Sequence, residues 1–92
     1  VVYVRVTAVR HDGKKLEIEI EDELLELLKK EPFEYRVSTD CIGPVIVPVE
    51  FKPPKEDDYV VNLGDKRFYI SSTQALWLKR ITLDMFRALC SI

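Results

Sequence analysis

Glycine, cysteine, histidine and methionine are all scarce in this sequence. Three glycines among 92 residues build no phosphate-cradling loop. Two cysteines, Cys41 and Cys90, are too few for a disulfide framework. No run approaches the ~18 apolar residues that a membrane span needs, and no basic-then-apolar leader opens the chain. No membrane role is therefore expected. Excess positive charge is also missing: the formal net charge is −2 and the isoelectric point about 5.4. A general nucleic-acid binder would be basic, so none is expected here. One asparagine and one glutamine stand against abundant lysine and glutamate, a balance that leans toward thermophile composition.

What is present suits one small globular domain over residues 1–92. Hydrophobic residues make up 47% of the chain, enough apolar surface to offset chain entropy and exclude intrinsic disorder. Charged residues, at 33%, exceed the usual share of about 25%. With few cysteines and no secretion signal, the expectation is a cytoplasmic protein with free thiols.

Period-two alternation dominates the chain. Tyr3 to Val9 and Lys15 to Glu21 both read as strands. A two-residue Asp12-Gly13 loop would set Ala8 opposite Glu17 and Val6 opposite Glu19. A three-residue loop, His11-Asp12-Gly13, sets Ala8 opposite Leu16, Val6 opposite Ile18 and Val4 opposite Ile20. The second register keeps the apolar sets together, and Gly13 takes the left-handed position. Asp22 reads as the N-cap of a helix over Glu23 to Lys30, ended by Pro32. Its core stripe is expected to be Leu24, Leu27 and Leu28.

Phe33, Tyr35 and Val37 alternate with Glu34, Arg36 and Ser38 as a third strand. Val45, Val47, Val49 and Phe51 form a fourth, and Pro48 within it requires a sheet edge. Lys52 to Asp58 is a rigid charged connection. Tyr59 to Leu63 and Lys66 to Ile70 form a hairpin about Gly64-Asp65, pairing Val61 with Phe68 and Tyr59 with Ile70. Ser71 and Gln74 have the spacing of a capping box for a helix from Ser72 to about Lys79. Ile81 to Phe86 alternates and reads as a last strand, in preference to a terminal helix through Cys90 capped by Thr82.

Few residues carry candidate chemistry. Cys41 occupies a loop between the third and fourth strands, beside Asp40 and two residues before Gly43. A loop thiolate can ligate a soft metal or an iron–sulfur cluster. Asp40 raises the thiol pKa, which disfavours a nucleophile. His11 is read as a solvated turn residue, and nothing brings it to Cys41. Glu56, Asp57 and Asp58 match no calcium loop and read as a solvated acidic turn. Trp77, with Leu76 and Leu78, reads as core or as a helix face packed on the sheet. Lys79, Arg80 and Arg87 give the C-terminal end a mild positive patch. No enzyme activity is expected.

The order of these pieces over residues 18–86 resembles the HesB-like family, the A-type iron–sulfur carrier and assembly proteins. The resemblance is carried by Ile18-Glu19-Ile20-Glu21-Asp22-Glu23-Leu24-Leu25, by Ser38-Thr39-Asp40-Cys41-Ile42-Gly43 and by Val49-Glu50-Phe51. It continues through Gly64-Asp65-Lys66 and Leu78-Lys79-Arg80-Ile81-Thr82-Leu83-Asp84. The resemblance implies a mainly β fold with two short helices, a HesB-like small β-sandwich or pseudo-barrel. It makes Cys41 the metal and cluster ligand, with Cys90 as a second cofactor-binding residue. The family's C-terminal Cys-Gly-Cys is missing. Clusters normally take four ligands, which a homodimer would supply as two copies of Cys41 and two of Cys90. The cofactor implied is an iron–sulfur cluster or iron, and cluster transfer implies a protein partner. Two function classes follow: iron–sulfur or metal handling through Cys41, and a metal-free protein-interaction or structural domain.

Overall fold

The computed structural model describes residues 2–39 and 43–86. Strands β1 (Tyr3–Val9) and β2 (Lys15–Glu21) form the first hairpin, followed by helix α1 (Asp22–Lys30). Strands β3 (Tyr35–Thr39) and β4 (Pro44–Pro48) form a second hairpin, and β5 (Tyr59–Asn62) with β6 (Arg67–Ile70) a third. Helix α2 (Ser72–Ala75), strand β7 (Arg80–Ile81) and a 3₁₀ turn (Leu83–Met85) complete the described chain.

The strands make one seven-stranded sheet in the order β4-β3-β6-β5-β1-β2-β7, curled into a half-barrel. Neighbours are antiparallel except β3/β6 and β2/β7. The two halves join at β1/β5, where one pair, Val9 and Val60, is in register. The fold is mainly β with two helices, as the alternation predicts, and its described strands form one sheet rather than two stacked ones.

The first hairpin adopts the register that keeps apolar residues in phase. Ala8 faces Leu16, Val6 faces Ile18 and Val4 faces Ile20. Gly13 sits in the turn at φ +90°, a conformation disfavoured for side chains with a Cβ. The third hairpin also keeps phase, with Val61 opposite Phe68 and Tyr59 opposite Ile70.

The main core gathers Ala8, Ile18, Ile20, Val37, Phe68, Ile70 and Ile81 beneath α1, which contributes Leu24, Leu25 and Leu28. The helix face is therefore one residue away from the expected stripe: Leu25 is buried and Leu27 only half-buried. Asp22 is the first helical residue rather than the cap. Glu21 holds the N-cap position without a side-chain cap bond, its carboxylate accepting instead from the Leu83 N–H. Glu31, extended before Pro32, ends the helix as expected. Lys66 reaches over from the third hairpin, its ammonium donating to the carbonyls of Lys29 and Glu31.

Strand β3 is buried on both faces over Tyr35 to Ser38, although its apolar and polar residues alternate. Arg36 and Ser38 lie opposite the main core, and the 53–58 connection folds over them. Arg36 Nε and Nη2 donate to the two carboxylate oxygens of Asp58 at 2.6 and 2.9 Å, and Nη1 donates to Ser38 Oγ at 3.1 Å. The Lys55 N–H donates to Asp58 Oδ2. The acidic connection is thus not a wholly solvated turn: Glu56 and Asp57 are exposed, but Asp58 is buried.

Other expectations fail for local reasons. Strand β4 stops at Pro48, whose carbonyl accepts from the Phe51 and Lys52 N–H groups in a turn, leaving Phe51 exposed. Ser71 makes no side-chain cap bond. Gln74 instead donates to Thr39 Oγ1 at 2.6 Å, so the capping box is absent. Helix α2 ends after four residues, which takes Trp77 off any helical face and into solvent. The expected final strand shortens to Arg80–Ile81. Thr82 and Asp84 hydrogen-bond through their side chains, and the Met85 N–H closes a 3₁₀ turn on the Thr82 carbonyl.

Candidate functional site

A sheet that does not close leaves two edges, and a natural edge is normally blunted against pairing with another chain. The register decides which backbone groups face outward. The Val49 N–H donates to the Glu34 carbonyl, so the 34/49 pair is hydrogen-bonded and so, by alternation, are 36/47 and 38/45. Pro44, Ile46 and Pro48 therefore turn their backbone groups outward from β4. Two of those three have no N–H, and the Pro48 carbonyl is already taken. The β4 edge is blunted by its prolines, the position that Pro48 demanded.

The opposite side differs. Arg10 and Lys14 form a hydrogen-bonded pair, so the even residues of β2 bond to β1. Lys15, Glu17 and Glu19 direct their N–H and C=O groups away from β1. The Glu19 N–H is met by the Lys79 carbonyl, where β7 begins. Among the described residues, strand β7 pairs only with Glu19 and Ile20. Among the described residues nothing pairs with the outward groups of Lys15 and Glu17, so this stretch of edge is open.

The open edge borders a groove of about 460 Å³ between β2 and the 75–79 segment. Its floor and walls include Leu16, Ile18, Leu76 and Leu78, and Arg5, Glu17 and Lys79 stand at its rim. Leu76 is 79% exposed and the adjoining Trp77 78% exposed. Two large apolar side chains in sequence, next to unpaired strand donors and acceptors, offer both directional and apolar contact.

Charges hold the groove's far end in place. Arg80 donates to Glu19 at 2.9 Å and lies 4.7 Å over the Tyr3 ring. The hydrogen bond to Glu19 raises the Arg80 pKa. At the hairpin tip, Arg10 donates two hydrogen bonds to Asp12, which hold the Asp12 carboxyl well below the usual aspartate range. The exposed Asp57 carboxyl is also lowered, chiefly by the hydrogen bond from Ser72 Oγ at 2.8 Å.

Cys41 and Cys90, the expected ligands, lie outside the described residues, as do Asp40 and Arg87. Thr39 and Pro44 end the two strands that flank Cys41 in sequence. Among the described residues no group of three or more His, Cys, Asp or Glu side chains could hold a metal, and none offers a ligand set for a cluster. His11 is exposed in its turn, as expected. No described helix is long and apolar enough to cross a membrane.

Sequence reasoning missed the open edge and the exposure of Leu76 and Trp77. One signal was present: Pro44 and Pro48 share a strand phase and mark one edge. The other edge depends on where a two-residue β7 stops, which alternation does not reveal. Compared with protein-family models, curated proteins and solved structures, the chain matches none of them.

Proposed function

We propose that this protein is a protein-interaction module that accepts an extended chain along the open edge of β2. The observation that carries the reading is the contrast between its two edges. Prolines occupy two of the three outward positions of β4, whereas among the described residues nothing pairs with the outward groups of Lys15 and Glu17 beside the apolar Leu76-Trp77 rim. Strand addition draws affinity from main-chain hydrogen bonds and specificity from pockets for alternate side chains. The groove supplies the second with Leu16, Leu76 and Leu78.

The test is amide chemical-shift mapping of the chain against short blocked peptides that alternate valine with threonine or lysine. The Lys15 and Glu17 amides are expected to shift and to gain protection from hydrogen exchange. Leu76→Asp is expected to weaken the effect about tenfold, the loss of one buried apolar side chain. Amides at 15 and 17 that respond neither to any such peptide nor to protein concentration would overturn the reading.

The element order also supports a proposal that the chain is a divergent relative of the HesB-like proteins. Iron–sulfur handling through Cys41 and Cys90 rests on that resemblance alone. Its test is anaerobic reconstitution, with visible absorption lost in Cys41→Ser.

A further inference from the structure

We infer that the extended chain received by the β2 edge is β2 of a second copy, paired antiparallel about a two-fold axis at Leu16. The inference rests on the strand-addition reading above and names its partner. Outward groups lie on odd residues, and an antiparallel pair exchanges both hydrogen bonds only between outward-facing residues. Three symmetric registers satisfy this near the open stretch. One sets Lys15 against Lys15 of the other copy, and another sets Glu17 against Glu17; like charges directly opposite are destabilising. The third sets Lys15 against Glu17 twice, with Leu16 facing Leu16 on the groove side.

This third register forms four main-chain hydrogen bonds and two complementary charge pairs. Its length is also fixed by the fold. The next bonded pair would join Gly13 to Glu19, but the Glu19 N–H is already held by Lys79. Pairing therefore runs from Lys14 to Ile18 and stops. The Lys15-Leu16-Glu17 pattern is thus self-complementary in one register; its neighbours set like charges together at their centre, and the Lys15–Glu19 pairs that would flank Glu17–Glu17 are denied by the same Lys79 bond. The blunted β4 edge prevents the assembly from continuing beyond two copies.

Sedimentation velocity over a concentration series tests the pairing on the intact 92-residue chain. Lys15→Glu places Glu opposite Glu in both pairs, and Glu17→Lys places Lys opposite Lys. Each variant alone is expected to dimerise at least about tenfold more weakly than the parent, with parental thermal unfolding since both positions are exposed. An equimolar mixture of the two variants restores both attractive pairs, as does the double variant carrying both changes. Recovery in the mixture and in the double variant is the expected result. Single variants that associate as the parent does overturn the register. A parent monomeric at every concentration overturns the dimer; the amide response at Lys15 and Glu17 to alternating peptides then shows whether strand addition itself survives.

Discussion

Arg36 and Asp58, twenty-two residues apart, form a two-pronged ion pair in which both side chains are almost wholly out of water. The pair fixes the 53–58 connection onto the outer face of β3 and makes a loop part of the fold. Buried charges of this kind are costly to strand and cheap to replace together. Asp58→Ala is therefore expected to destabilise by about 3–5 kcal/mol, because it leaves a buried guanidinium without its partner. That is a large share of the ~5–15 kcal/mol a domain has. Arg36→Met with Asp58→Leu is expected to cost much less than Asp58→Ala alone. Urea denaturation of Asp58→Ala and of the double checks this; a double as unstable as Asp58→Ala would contradict it.

Lys66 acts on a helix thirty-five residues before it. Its ammonium meets the last carbonyls of α1, where the helix dipole is negative and orphan acceptors collect. Lys66→Met keeps the apolar stem and removes the charge. The expected cost is about 1 kcal/mol, with faster amide exchange confined to the last turn of α1. Unchanged exchange there would show that water serves those carbonyls equally well.

The particular residues show what a sequence can and cannot disclose. The register of the first hairpin was legible because Val4, Val6, Ala8, Leu16, Ile18 and Ile20 fit one phase, and a slip would expose them all. Pro48 announced its edge because a missing N–H is a local fact. The burial of Arg36 was not legible, because alternation reports a strand's phase, not what later folds over it. Asp58 looked solvated for the same reason, since its partner lies in a distant strand. Trp77 looked like core because its neighbours are apolar; its exposure follows from a helix that ends at Ala75. The open edge needed the stopping point of β7, a two-residue pairing without a sequence signature.

Gly13 tests the hairpin directly. Its φ of +90° is unfavourable for other residues, yet a Cβ placed there meets nothing within 4 Å. The cost of substitution is therefore conformational rather than steric. Gly13→Val is expected to destabilise by about 1–2 kcal/mol, and Gly13→Asn by less, because asparagine tolerates positive φ better. Denaturation midpoints in that order support the turn; equal midpoints for all three proteins would contradict it.

Asp12 and Asp57 predict part of the acid response. Both carboxyls are lowered, the first mainly by hydrogen bonds from Arg10 and the second by Ser72. A carboxyl lowered by folding contributes stability above its unfolded pKa, near 3.8, and loses it as pH falls through the folded value. Thermal unfolding measured from pH 5 down to pH 2 should show this loss. Asp12→Asn and Asp57→Asn should each flatten the slope in that window and leave it unchanged above pH 5. Both residues are exposed, so the flattening is small, and added salt should reduce it further.

Pro44 and Pro48 should govern how far association proceeds. Both face outward in pairs that make no ladder hydrogen bond with β3, so replacing them leaves the β3/β4 bonds intact. Pro44→Thr with Pro48→Thr adds two outward N–H donors to the one that Ile46 already offers. The lost ring constraint costs roughly 0.4–1 kcal/mol per site through the unfolded chain, which the fold should tolerate. A second competent edge changes the symmetry of assembly: edges that pair on both sides of the sheet extend an open chain, whereas one closes a dimer. Light scattering is therefore expected to show growth beyond two copies in the double variant, rising with concentration. Adding Lys15→Glu, which disables the β2 edge, should cut the same protein back to pairs joined through β4. A double variant that keeps the parental size at every concentration would show that the prolines do not protect this edge.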